Sequence, residues 1–290
     1  MYLCTHTLHY RYKIKRMSKT RILYVAHQMQ PYIKLTELAD VVRKLPAAMQ
    51  EQGIEIRILI PRHGLINERR HRLHEVVRLS GINIIIGDND NPLVIKVATL
   101  PEAKMQVYFL DSEDYFNRKG ITHDQNGKFY ADNHEKMIFF CKGVLDTVVK
   151  LGWAPDVVHC NGWMTSLMPL YIKKLYQNNP AFRNAKVVYS VYEQEFSEEM
   201  SPNFIKDALY EDVSKSDLDV YAQGCNRDLD LGAIAYADAV VLATKDISPE
   251  VAFAISQTDK PVLDASELDD FAGGYKDFYH KILSLQPELA

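Results

Sequence analysis

The chain has 290 residues, of which 47% are hydrophobic, 25% charged and 10% aromatic, the fractions of an ordinary globular protein rather than a disordered or fibrous one. Net charge is −4, unevenly placed. Residues 1–19 hold five bases (Arg11, Lys13, Lys15, Arg16, Lys19) and no acid, so the rest carries 29 bases against 38 acids, a net −9. Such a body argues against nucleic acid as a partner, and no apolar run approaches the ~20 residues of a membrane span.

The first nineteen residues lack the apolar stretch of a secretory signal. They read as a disordered or artefactual extension, with translation expected to start at Met17, just before the strand-like run Ile22–Ala26. Cysteines stand at 4, 141, 160 and 225, with no CxxC pair and no histidine cluster to complete a metal site. Cys141 and Cys160 sit in apolar runs, where a free thiol acts as a small buried hydrophobe. A cytoplasmic location without a metal is the expectation.

Strand-length apolar runs alternate with helical-period segments. A strand over Arg21–Ala26 leads to a helix from about Thr36 to Gln52, with Leu38, Val41, Val42, Leu45, Ala48 and Met49 on one face and Gly53 as its stop. A strand over Ile54–Ile60 follows, closed by Pro61. The runs Ile82–Ile86, Leu93–Val97 and Gln106–Leu110 come with no helix between them and read as an antiparallel insertion. A long helix is expected over 132–151, a strand over Asp156–Cys160, a helix after Trp163, and strands over Val187–Val191 and Ala239–Ala243. Ser248-Pro249-Glu250 makes a good helix start. Residues 266–285 read as a last amphipathic helix with Leu268, Phe271, Tyr275, Phe278 and Leu283 on one stripe, weakened in its middle by Gly273-Gly274. The fold class is α/β, a single doubly wound, mostly parallel Rossmann-like sheet. Ligands of such sheets bind beyond the carboxyl ends of the strands, here the turns after Ala26, Ile60, Cys160 and Val191.

Motifs at those turns carry a resemblance. Tyr32-Ile-Lys34-Leu35-Thr36-Glu37-Leu38-Ala39-Asp40-Val41 resembles the Lys-Thr-Gly-Gly-Leu-Ala-Asp-Val segment of bacterial glycogen and plant starch synthases. The likeness continues through Leu45-Pro46-Ala47-Ala48, Arg57–Pro61, Tyr115-Phe116-Asn117-Arg118, Tyr130-Ala131-Asp132-Asn133, Pro155–Trp163 and Ala235-Tyr236-Ala237-Asp238. It implies the first half of a two-Rossmann-domain, retaining glucosyltransferase that uses ADP-glucose or UDP-glucose and an α-1,4-glucan acceptor. The second domain, which in the family holds most of the nucleotide, does not fit in the remaining length. On this reading residues 20–245 form the synthase-like domain, and residues 246–290 a helical tail that packs on it.

Three donor-side turns depart from the family. Lys34 keeps the lysine that would face the donor diphosphate, but Thr36 and Glu37 replace the two glycines that let backbone approach it. Asn161-Gly162-Trp163-Met164 stands where the family reads His-Asp-Trp-His, and Tyr192-Glu193 replaces His-Asn. No catalytic residue is assigned. Lys34 reads as a helix-flanking lysine or a residual phosphate ligand, and Asp40 as a partnered or a cleft carboxylate. Asp132 and Asn133 resemble a cleft-lining motif. His159 reads as a core histidine or a sugar contact, and Trp163 as rim packing or a stacking platform. No Ser-His-Asp order, HExxH, Walker loop or GxGxxG is present, so no cofactor is expected. Three functions stay open: a non-transferring glucan binder, a glucosyltransferase completed by a partner synthase chain or a second copy, and an interaction module without ligand.

Overall fold

Arg21–Ala26 (β1) is buried from its second residue onward, as a central strand covered on both faces must be. The computed structural model describes residues 19–100 and 102–285; the N-terminal extension and the Met17 start lie outside them. From β1 the chain passes through helix α1 (Leu38–Glu51), strand β2 (Glu55–Pro61), the one-turn α2 (Glu68–His71), strands β3 (His74–Glu75), β4 (Ile82–Ile86), β5 (Asn89–Leu100) and β6 (Met105–Asp111), and α3 (Glu113–Phe116). The long α4 (Asn133–Leu151) leads to β7 (Val157–Asn161), α5 (Met168–Lys174), β8 (Lys186–Val191), α6 (Phe204–Asp207), α7 (Asn226–Tyr236) and β9 (Ala239–Leu242). Last come α8 (Pro249–Gln257), β10 (Val262–Asp264) and α9 (Phe271–Ser284).

The sheet runs β10-β9-β8-β7-β1-β2-β6-β5-β3, with β4 paired to β5. Every pairing from β10 to β6 is parallel. The order reverses beside β1, which has β2 on one side and β7 on the other, with Ala26 level with Asn161. That crevice is the topological switch point of the doubly wound sheet.

Several sequence expectations need correction. Residues 106–110 are not part of an antiparallel insertion: β6 pairs in parallel with β2 and belongs to the main sheet, while β5 turns back antiparallel along its outer edge. On α1 the buried face is Leu38, Ala39, Val42, Leu45, Pro46 and Met49, with Val41 and Ala48 only half-covered. The last helix begins at Phe271, not at 266. Asp270 caps it by accepting from Gly273 N–H at 3.0 Å, which puts the two glycines in the first turn rather than the middle. Gly274 is there for space, since a Cβ would lie 2.6 Å from a Leu268 methyl.

Helix α9 docks on the sheet through buried Tyr275, Phe278, Tyr279 and Ile282. The Tyr279 hydroxyl lies 2.7 Å from His159 Nδ1 and 2.9 Å from the Tyr24 hydroxyl. His159 Nε2 completes the chain at 2.6 Å from Ser190 Oγ. Side chains on β1, β7 and β8 are thereby tied to the tail helix in one buried network. Burial holds the imidazole well below its ordinary range, at about 3, so it is neutral.

Candidate functional site

At the carboxyl edge of the sheet a pocket of about 270 Å³ opens between the start of α1 and the segments after β8 and β9. Thr36, Glu37, Leu38 and Val41 form one wall; Tyr192, Glu193, Gln194, Glu195, Ala243 and Thr244 form the other. Among the described residues the lining holds three carboxylates and no Lys, Arg or His. It is small for a ligand pocket, with room for a sugar unit rather than a nucleotide. Its polar groups are carboxylates, hydroxyls and an amide, the set that hydrogen-bonds polyols.

Buried polar residues build the floor. His27, the first residue after β1, is fully buried and places Nε2 2.8 Å from the Glu195 carboxylate. Its neighbour Gln28 accepts from the N–H groups of Leu35 and Thr36 (2.9 and 3.0 Å) and donates to Thr36 Oγ1 at 2.9 Å, fixing the loop that carries Thr36 and Glu37. His63, after β2, bonds the His27 carbonyl at 2.8 Å. Behind Glu195, Asn226 accepts its N–H at 3.0 Å and donates to Asp230, whose other oxygen accepts from the Tyr189 hydroxyl at 2.6 Å. Burial pushes the Asp230 carboxyl up to about 7, against the two hydrogen bonds that favour its ionised form.

Asn161 does not face the pocket. It is fully buried, donates to the carbonyls of Val25 (3.3 Å) and His159 (3.0 Å), and accepts from the Tyr192 hydroxyl at 3.2 Å. Trp163 is buried edge-on against Phe196, its ring centroid 5.8 Å from that of His27 and its indole N–H without a partner among the described residues. Gly162 permits this crowding at φ +75°, and a Cβ there would meet Leu38 Cδ1 at 2.7 Å and His27 Cε1 at 3.1 Å. Gly162→Ala is therefore expected to cost ~2–3 kcal/mol through backbone strain and overpacking. Urea unfolding tests this, and an unchanged midpoint would refute it.

The fold disperses the remaining sequence candidates. Lys34 Nζ lies 2.6 Å from Asp40 Oδ2, and neither lines the pocket. Asp132 forms a two-pronged ion pair with Arg118, one contact at 2.7 Å. Burial would raise the Asp132 carboxyl, but the guanidinium holds it below the usual range. Asn133 is buried, donating to the Thr122 carbonyl at 2.8 Å and accepting from Lys136 at 2.8 Å. Met164 is buried, and its carbonyl receives the Cys141 thiol at 3.1 Å. Thr36, Glu37, Tyr192 and Glu193 are the residues the structure brings together, across about 155 positions of sequence. Sequence reading missed His27, Gln28, Glu195, Asn226 and Asp230; the turns after Ala26 and Val191 were the available signals for His27, Gln28 and Glu195. It also missed His134, Glu135 and Asp207, whose ligand-type atoms lie within 4.8 Å of one another. There the His134 Nε2 to Asp207 contact, 3.2 Å, fastens α6 to α4.

A model of the starch synthase catalytic domain matches residues 21–258. The chain belongs to that family. It is 36% identical over 232 residues to the glycogen synthase of Chlorobium limicola, covering 80% of this chain and 47% of that protein. It is 42% identical over 173 residues to the glycogen synthase of Chlorobium luteolum, covering 59% and 35%. The chain thus spans about half the length or less of these curated relatives. The catalytic domain of Starch Synthase IV from Arabidopsis thaliana, solved with ADP and acarbose, superposes with a TM-score of 0.68 at 18% identity over 87% of this chain and 53% of that one. That likeness shows the fold, a Rossmann-like half of this glycosyltransferase architecture. Among the described residues no helix is long and apolar enough to cross a membrane.

Proposed function

We propose that this starch synthase family member is the acceptor-facing half of a glycogen/starch-synthase-type glucosyltransferase, residues 20–245 with the tail 246–290 packed on it, and that alone it binds α-glucan without transferring glucose. The observation that carries this is the sign of the pocket beyond the carboxyl ends of the strands: Glu37, Glu193 and Glu195 line it, and among the described residues no cation does. A carboxylate ~5 Å from a phosphate repels it by roughly 3 kcal/mol at an effective dielectric of ~20. Lys34 offsets little of this, being half exposed and already paired with Asp40. A neutral glucan incurs no such repulsion, and the hydroxyl-rich lining suits it. A cytoplasmic location goes with this reading.

Calorimetric titration with maltoheptaose, ADP-glucose and UDP-glucose in turn tests it. Heat from the glucan alone is expected. Binding of either nucleotide sugar would overturn the electrostatic argument, and silence with all three would leave an interaction module without ligand. A second reading is a glucosyltransferase completed by a partner synthase chain or a second copy. Glucose transfer that appears only on mixing with such a chain would establish it.

A further inference from the structure

Several cations of this acidic chain are held by its own carboxylates: Lys34 by Asp40, Arg43 by Glu102, Arg118 by Asp132, Lys173 by Asp238. One segment clusters cations that are not so held. Residues 68–74 read Glu-Arg-Arg-His-Arg-Leu-His, and the single acid, Glu68, is engaged elsewhere, 2.8 Å from Lys96 Nζ and 3.2 Å from Arg62 Nε. Among the described residues, no carboxylate oxygen lies within 4.0 Å of the Arg70 or Arg72 guanidinium.

The local fold gathers these cations. Asn67 caps α2 by accepting from Arg70 N–H at 2.9 Å, and the chain leaves α2 through Arg72 at φ 54°. Arg70, His71, Arg72 and His74 then face Tyr32 and Thr99 across a groove of about 730 Å³ that, among the described residues, no acid lines. The Tyr32 wall is fixed, its ring edge-on to Phe109 at 4.8 Å and to His71 at 4.9 Å.

We propose that this groove is a second binding site, for the phosphoryl group of a small anionic ligand, with Arg70 and Arg72 as its principal contacts. Guanidinium groups match phosphate oxygens in paired, charge-assisted hydrogen bonds, and two without counter-ions in an otherwise acidic body concentrate positive potential at one place. The net −9 outside the first nineteen residues repels an extended polyanion, so the ligand is a phosphate or phosphate ester rather than a nucleic acid. The groove volume falls within the ordinary range for small-molecule sites. Tyr32 belongs to the same loop as Thr36 and Glu37, which line the acidic pocket. The proposal does not rest on the glucan reading and stands if maltoheptaose is silent.

The test is calorimetric titration of the full chain with inorganic phosphate, pyrophosphate and glucose 1-phosphate at physiological salt. All three should bind the unmodified chain, with affinity falling at least about tenfold (~1.4 kcal/mol) in Arg70→Ala/Arg72→Ala. Both arginines are exposed, so the double variant should keep the fold, which circular dichroism checks. Arg69→Ala, outside the groove, and Glu37→Gln, in the acidic pocket, should not weaken binding. Tighter binding of glucose 1-phosphate than of phosphate would identify a sugar phosphate; equal binding would identify free phosphate. No heat from any probe overturns the site, as does undiminished binding in the double variant. Equal loss in Arg69→Ala also overturns it, because it marks diffuse attraction.

Discussion

Replacing Tyr279 by alanine should lower stability by ~4–6 kcal/mol, the largest effect expected of a single substitution here. The side chain is fully buried, and deleting a buried aromatic costs ~3–5 kcal/mol. Its hydroxyl also partners His159 Nδ1 at 2.7 Å and Tyr24 at 2.9 Å, and orphaning such groups adds ~1–3 kcal/mol. For a chain of this size the melting temperature should fall by roughly 10–20 °C. Tyr279→Phe keeps the ring and loses only the hydrogen bonds, so its cost should be ~1–3 kcal/mol. Removing residues 265–290 should be at least as damaging as the alanine variant. A melting temperature unchanged by the truncation would refute the docking of α9 as part of this fold.

Acid should unfold the protein through two neutral, buried histidines. His159 is held at about 3 by burial, and His63 at about 3 by burial together with the neighbouring His27, Lys136 and Arg62. The unfolded chain binds protons at these sites near 6.5 while the folded chain does not, so stability is lost as pH falls below 6.5. Each histidine contributes about 1.4 kcal/mol per pH unit in that window. Asp230 acts in the opposite sense. Held up at about 7 by burial, it binds a proton in the folded state between ~4 and 7, so its contribution declines as pH rises. Urea unfolding between pH 4 and 6.5 should show stability rising with pH by a net ~1.4 kcal/mol per unit. Asp230→Asn should roughly double that slope, and His63→Asn should flatten it. A flat profile in the unmodified chain, or one that Asp230→Asn leaves unchanged, would contradict these assignments.

The central strands were legible because they are almost wholly apolar: Ile22–Ala26, Val157–Val158 and Val187–Val191, with Ser190 the one small polar residue, are buried on both faces. Helix α7 was not, because the face it buries carries Asn226, Asp228 and Asp230 beside its apolar residues, and no apolar stripe announces it. Strand β10 has three residues, only one of them partly covered, too few to register as a period. Strand β6 was seen as a strand but assigned to the wrong neighbours, since a run of alternating or apolar residues does not say which strand it pairs with.

The same division holds at the site. The sequence by itself determined the family and the parallel α/β class, and it pointed to the turns that carry Thr36, Glu37, Asn161, Tyr192 and Glu193, because these are properties of residues in their own local segments. Only the tertiary structure decided that Glu37, Glu193 and Glu195 share one pocket, that Asn161 turns inward, and that Asp132 and Asn133 serve the loop before α4. A pocket is set by which strands end at the same edge of the sheet and by which way each side chain leaves the turn beyond. Both depend on pairings between β1, β7, β8 and β9, far apart in the chain, and on the competition of each polar group for buried partners. Neither is written in any one segment.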